Sequence, residues 1–107
     1  MQIRLSEFFE EDLFIPEFKS KDKEGVLKEL VDVLVRADRI KEGNILLEML
    51  RQREQLGSTG IGRGVAVPHG RTLALTRLCV VFGRAPEGVE FEAMDGKPVH
   101  LLSLIHI

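Results

Sequence analysis

Between residues 22 and 37, apolar side chains at 26, 27, 30, 31 and 34 line up along one face. That is helical spacing, and it predicts an amphipathic helix over about 22–37. Ser20 to Asp22 supplies a capping side chain, with Asp22 and Glu24 near the positive end of the helix dipole. A second helix is expected over about 42–55, with a stripe of Ile45, Leu46, Met49 and Leu50. The stripe runs on into Arg53, and burying an unpaired guanidinium is costly. Either the stem is covered while the head reaches water, or Arg53 emerges beneath a site and holds an anion there. Gly57 then ends the helix.

Upstream, Leu5, Phe8 and Phe9 offer an apolar face at helical spacing, so a short helix or turn is expected within the first twelve residues. Leu13-Phe14-Ile15 reads as a short strand stopped by Pro16. Downstream of Gly57 the texture changes. Gly57 to Gly64 is glycine-rich, Val65-Ala66-Val67 is a short strand, and Pro68-His69-Gly70 breaks it. Leu78 to Phe82 reads as a buried strand, Pro86 and Gly88 as a turn, Asp95-Gly96 as another, and Val99 to Ile105 as a central strand. Helices early and strands late, joined by short turns, give an α/β class with a mixed sheet flanked by helices.

Composition narrows the function classes. The chain has 107 residues, 44% hydrophobic and 30% charged, which suits one globular domain. A net charge of −2, from 15 basic and 17 acidic residues, gives no footprint for nucleic acid and no polybasic membrane patch. No apolar run approaches the roughly 18 residues that span a bilayer, and the start lacks a secretory pattern, so the default location is cytoplasmic. The single cysteine, Cys79, lies in an apolar run and reads as a buried strand residue.

The glycine-rich loop invites a nucleotide reading, which its spacing rejects. No Gly-Lys-Ser/Thr run is present, and the dinucleotide fingerprint would need glycine where Val65 or Val67 stands. The loop also follows a helix, whereas that fingerprint follows a strand. A loop rich in small residues and free N–H groups can still solvate an anion, or it can simply supply tight turns. His69, between Pro68 and Gly70, is presented from a stiff backbone at a strand end. Neutral imidazole is a nucleophile near neutral pH, and phosphoryl transfer needs little beyond an in-line nucleophile, donors for the equatorial oxygens and a cation. His69, the loop and Arg53 would supply one of each. His100 and His106 lack paired Cys, Asp or Glu at ligand spacing, so no metal site is expected.

The stretch from Arg53-Glu54 through Gly57-Ser58-Thr59-Gly60-Ile61-Gly62 to Ala66-Val67-Pro68-His69-Gly70 strongly resembles the signature of the type-2 IIA domains of the bacterial sugar phosphotransferase system. That family includes fructose, mannitol and nitrogen-regulatory IIA domains. Phe91 to Val99 resembles the family's next block, and the wording of the glycine loop leans towards the nitrogen-regulatory or fructose branch. The resemblance implies a mixed sheet sandwiched by helices. It implies that His69 accepts a phosphoryl group from the phosphocarrier HPr, or its nitrogen-branch paralogue, and passes it to a cysteine of a IIB domain. Regulatory members instead switch target proteins through their phosphorylation state. Arg53 would lie near the phosphohistidine, with Thr59, Gly60, Gly62 and Gly70 lining the phosphate pocket. Neither metal nor organic cofactor is implied.

The usual domain is longer. The resemblance covers about its N-terminal two-thirds and implies that C-terminal helices are missing, along with a second, supporting histidine. Neither His100 nor His106 matches that segment. Without those helices, the final apolar strand is expected to expose apolar surface and a strand edge.

Overall fold

The computed structural model describes residues 10–70 and 79–106. The expected helix or turn around Leu5, Phe8 and Phe9 lies outside them. A single 3-10 turn, Glu11–Leu13, leads into β1, Phe14–Ile15. Helix α1 then spans Lys23–Arg36, within a residue of the expected bounds. Asp22 caps it, the carboxylate accepting from the Gly25 N–H at 2.9 Å. Val26, Leu27, Leu30, Val31, Val33 and Leu34 form its buried face.

Helix α2 spans Gly43–Gln55, but its buried stripe is Leu46, Leu47 and Leu50. Ile45 is half-exposed, so the stripe is rotated from the expected one. Helix α2 packs against α1, and a Cβ on Gly43 would stand 2.8 Å from a methyl of Val35. Continued by four residues from Leu50, the true stripe meets Glu54 as well as flanking Arg53.

Six strands form one sheet in the order β1-β5-β6-β3-β2, with β4 also pairing β6. Strand β2 is Gly60–Gly62, β3 Val65–Ala66, β4 His69–Gly70, β5 Cys79–Val89 and β6 Val99–His106. Strand β6 runs antiparallel to β5 and parallel to β3 and β4. The expected central strand is therefore central. The expected exposed edge on it is not found, because β6 is paired on both sides. Pro86 and Gly88 do not end β5 in a turn either. They sit in an irregularity between Arg84 and Val89, where the β5–β6 register shifts and Gly88 takes φ +88°. A bulge absorbs both residues and the strand continues. The turn at Asp95-Gly96 is present, closed by Gly96 N–H to Ala93 O at 2.9 Å.

The mixed α/β class is as expected. Val81, Ala85, Leu102 and Leu104 from the sheet share one core cluster with the leucines of both helices. Helices α1 and α2 are the two α-helices among the described residues. Gly83, opposite Leu102 on the same face, is overlaid by the Phe18 ring, and a Cβ at this position would overlap that ring. Gly83→Ala is therefore expected to destabilise the domain by about 1–3 kcal/mol through overpacking. It should lower the urea midpoint at constant m, and a second change, Phe18→Leu, should recover part of the loss.

Candidate functional site

Strands β3 and β4 run along the same side of β6, in line: Ala66 pairs Leu102, and His69 pairs Ile105. Between them Pro68, which has no N–H to give, interrupts the ladder and is itself buried. The chain re-enters the sheet at His69, whose side chain is exposed. Its Nδ1 lies 3.0 Å from the carbonyl oxygen of Val67. A carbonyl can only accept, so Nδ1 carries the proton and the neutral ring keeps its lone pair on Nε2. The local Val-Pro-His turn thus selects which nitrogen is nucleophilic.

The glycine-rich loop is tied down from α2. The Arg53 guanidinium donates to Gly57 O at 2.8 Å, holding the turn that ends the helix. The neighbouring Glu54 carboxylate accepts the Thr59 N–H at 3.0 Å and the Thr59 hydroxyl as well. Thr59, only 3% exposed, then receives the Val67 N–H on its carbonyl at 3.0 Å. Helix α2 also packs directly against β4. The fold therefore sets Thr59 beside Val67 and places α2, which carries Arg53, against β4, which holds His69 and Gly70.

Two of the expected pocket donors are committed elsewhere. The Thr59 N–H and hydroxyl serve Glu54, and the Gly60 N–H goes to Ser58 Oγ at 3.0 Å. Gly60 permits a close approach instead: a Cβ there would come within 2.8 Å of the Ala93 side chain. Gly62 sits beside Asp95, at φ +98° in a turn where Arg63 and Gly64 also take positive φ. Sequence reading passed over Glu54. The available signal was its place four residues after Leu50 and seven after Leu47 on the buried face of α2.

Asp95 pins that turn to the next loop. Its carboxylate accepts from the N–H groups of Lys97, at 3.0 Å, and Arg63, at 3.1 Å. These two bonds, the Lys97 one foremost, hold its pKa below the ordinary aspartate value. A depressed folded pKa means the tie is intact at neutral pH and is lost as pH falls through that depressed value. NMR titration should find the Asp95 midpoint below that of a free aspartate. Asp95→Ala should speed amide exchange at Arg63 and Lys97. His100 abuts the same turn, its N–H donating to Gly64 O at 2.7 Å, while its Nδ1 lies 3.0 Å from Ala85 O on the bulged end of β5.

Residues 7–107 match the family model described as phosphoenolpyruvate-dependent sugar phosphotransferase system, EIIA 2. The chain belongs to this family. It is 40% identical over 87 residues to the fructose-specific EIIABC component of Bacillus subtilis, covering 81% of this chain and 14% of that protein. Among solved structures it resembles the nitrogen regulatory protein IIA-Ntr of Neisseria meningitidis, with TM-score 0.86 and 33% identity over 95% of this chain and 69% of that one. It also resembles Escherichia coli enzyme IIAMTL, solved in complex with phosphorylated enzyme IIBMTL. There the TM-score is 0.76 and the identity 25%, over 91% of this chain and 68% of that one. Against three of the curated relatives, the EIIA 2 chain spans between 14% and 61% of their length. Among its described residues, no helix is long and apolar enough to cross a membrane.

Proposed function

We propose that this EIIA 2 chain is a phosphoryl carrier, taking a phosphoryl group from phospho-HPr onto His69 Nε2 and handing it to a cysteine of a IIB domain in the cytoplasm. The observation that carries this reading is the bond from His69 Nδ1–H to Val67 O, which directs an exposed Nε2 lone pair outward. In the first step that lone pair forms the N–P bond as the N–P bond of the donor's phosphohistidine breaks, and the donor ring keeps the electron pair. The phosphorylated ring retains its Nδ1 proton, and Val67 O stabilises the resulting cationic character. In the second step a thiolate attacks phosphorus, an S–P bond forms, and the electron pair returns to Nε2.

Transfer of this kind depends on alignment and charge stabilisation. Arg53 is the cation assigned to the phosphoryl oxygens, projecting from the helix that packs on β4. Thr59 and Gly60 act as braces beneath the loop. Gly62 and Gly70 shape the rim, with exposed Ile61 and Met94 offering apolar contacts to a docking protein. The Met94 N–H bonds to Gly60 O at 3.0 Å, so these side chains are held next to the loop. The test is incubation with phosphoenolpyruvate, enzyme I and HPr. Stoichiometric, acid-labile phosphate on the chain supports the reading. A folded chain that takes none up, beside an active IIA control, refutes it.

A second reading keeps the acceptor and changes the purpose: phosphorylation would switch binding to a regulatory target. A higher TM-score to IIA-Ntr than to IIAMTL, 0.86 against 0.76, favours it. Phosphate passing on to a IIB cysteine supports the carrier. A partner whose binding depends on phosphorylation, with no onward transfer, supports the switch.

A further inference from the structure

The family signature places Arg53 at the site, yet the charged side chain drawn furthest into the fold beside it is Glu54. Its carboxylate is only 6% exposed and is satisfied from three sides. The Thr59 N–H reaches Oε2 at 3.0 Å, the Thr59 hydroxyl bonds to Oε1, and Lys23 Nζ stands 3.3 Å from Oε2. Lys23 is the first residue of α1, with its side chain 17% exposed. Its ammonium also lies 4.9 Å from the ring centroid of buried Phe91. Such a cation–π contact helps hold the ammonium beside the carboxylate.

From Glu54 an unbroken line of hydrogen bonds leads to the histidine. Glu54 holds Thr59 by N–H and hydroxyl. Thr59 O holds the Val67 N–H, and Val67 O holds His69 Nδ1, each at 3.0 Å. Both backbone groups of Thr59 lie on this line, and so do both of Val67. The Val67 N–H is fixed by Thr59, and the Val67 carbonyl sets the tautomer and direction of the His69 ring.

We propose that Glu54, neutralised by Lys23, is a positioning residue that sets the ring orientation and tautomer of His69 through Thr59 and Val67. The inference rests on the reading of His69 as the acceptor. A carboxylate is suited to the task because it only accepts, so both oxygens can serve donors at once. An amide would turn an NH2 group towards Thr59 or Lys23. Lys23 has a second effect. An unneutralised carboxylate beneath the loop would repel the incoming phosphoryl group, and the ion pair removes that repulsion.

The test compares the parent chain with Glu54→Gln by 15N NMR of the histidine ring, amide exchange and rapid-quench phosphorylation. In Glu54→Gln the share of His69 carrying its proton on Nδ1 should fall. Exchange at Thr59 and Val67 should speed up by about tenfold or more, while exchange at Leu30 and Leu34 stays at the parent rate. Acceptance should slow by about ten- to a hundredfold in kcat with KM for phospho-HPr little changed, as for a misaligned nucleophile. If Glu54→Gln fails to fold, Thr59→Val removes only the hydroxyl tie and should move the same readouts in the same direction, less far. A parent-like tautomer share and rate in a folded variant would overturn the proposal and leave Glu54 a structural residue alone. If the parent itself takes up no phosphate, the carrier reading fails, yet the tautomer and exchange data still decide whether Glu54 orients His69.

Discussion

His69→Ala is expected to abolish phosphoryl uptake while leaving the fold intact. The ring is exposed and contributes one hydrogen bond, to Val67 O. Its loss should therefore change stability by no more than about 1 kcal/mol. The acceptor atom, in contrast, is lost with the ring: among the described residues His100 has a similar Nδ1-to-carbonyl contact, to Ala85 O, but it lies on β6 beside Gly64 and Gly88, away from the β4 strand end. The measurement is 32P incorporation from phosphoenolpyruvate through enzyme I and HPr, with circular dichroism confirming the fold. Full labelling of the variant would place the acceptor elsewhere and remove the basis of the mechanism. His69→Gln should be equally inert, since an amide nitrogen has no available lone pair.

Arg53→Ala is expected to leave His69 in place and slow the transfer by about a hundredfold or more, the usual size for losing one charge-stabilising donor. Rapid-quench kinetics would show the effect mainly in kcat, because the guanidinium acts on charge at the transferring group. Arg53→Lys should recover only part of the rate, as a point charge lacks the planar fork that grips two phosphoryl oxygens. Arg53 also ties the end of α2 to Gly57 O. A stability loss of about 1 kcal/mol should accompany either change. That loss with an unchanged rate would make Arg53 a helix-end tie and nothing more.

Much of this arrangement was legible in the sequence. Helix α1 was readable because a capping Asp22 and a regular apolar period agree with each other. The Val-Pro-His-Gly break was readable because proline cannot continue a ladder, whatever surrounds it. Strand β6 could be placed centrally from its largely apolar run, Val99 to Ile105. Three features were not legible, and each depends on contacts beyond the local pattern. The apolar positions from 45 to 50 allow two neighbouring stripes, and packing against α1 accompanies the one that buries Leu47. Pro86 and Gly88 read as a turn because local signals cannot distinguish a bulge from a reversal. Only pairing with β6 makes that choice. The resemblance implies that Thr59 lines the phosphate pocket, whereas Glu54 on the preceding helix takes both of its donors. Glu54 itself stood next to the more conspicuous Arg53, and only the corrected stripe of α2 shows it turning inward.

The measurement that bears most directly on the account is 15N and 31P NMR of the chain, labelled on its histidine rings, after phosphorylation by phospho-HPr. A single phosphohistidine is expected at His69, with phosphorus bonded to Nε2 and the proton retained on Nδ1. A phosphoryl group on Nδ1 of His69, or on another residue of a folded chain, would contradict it.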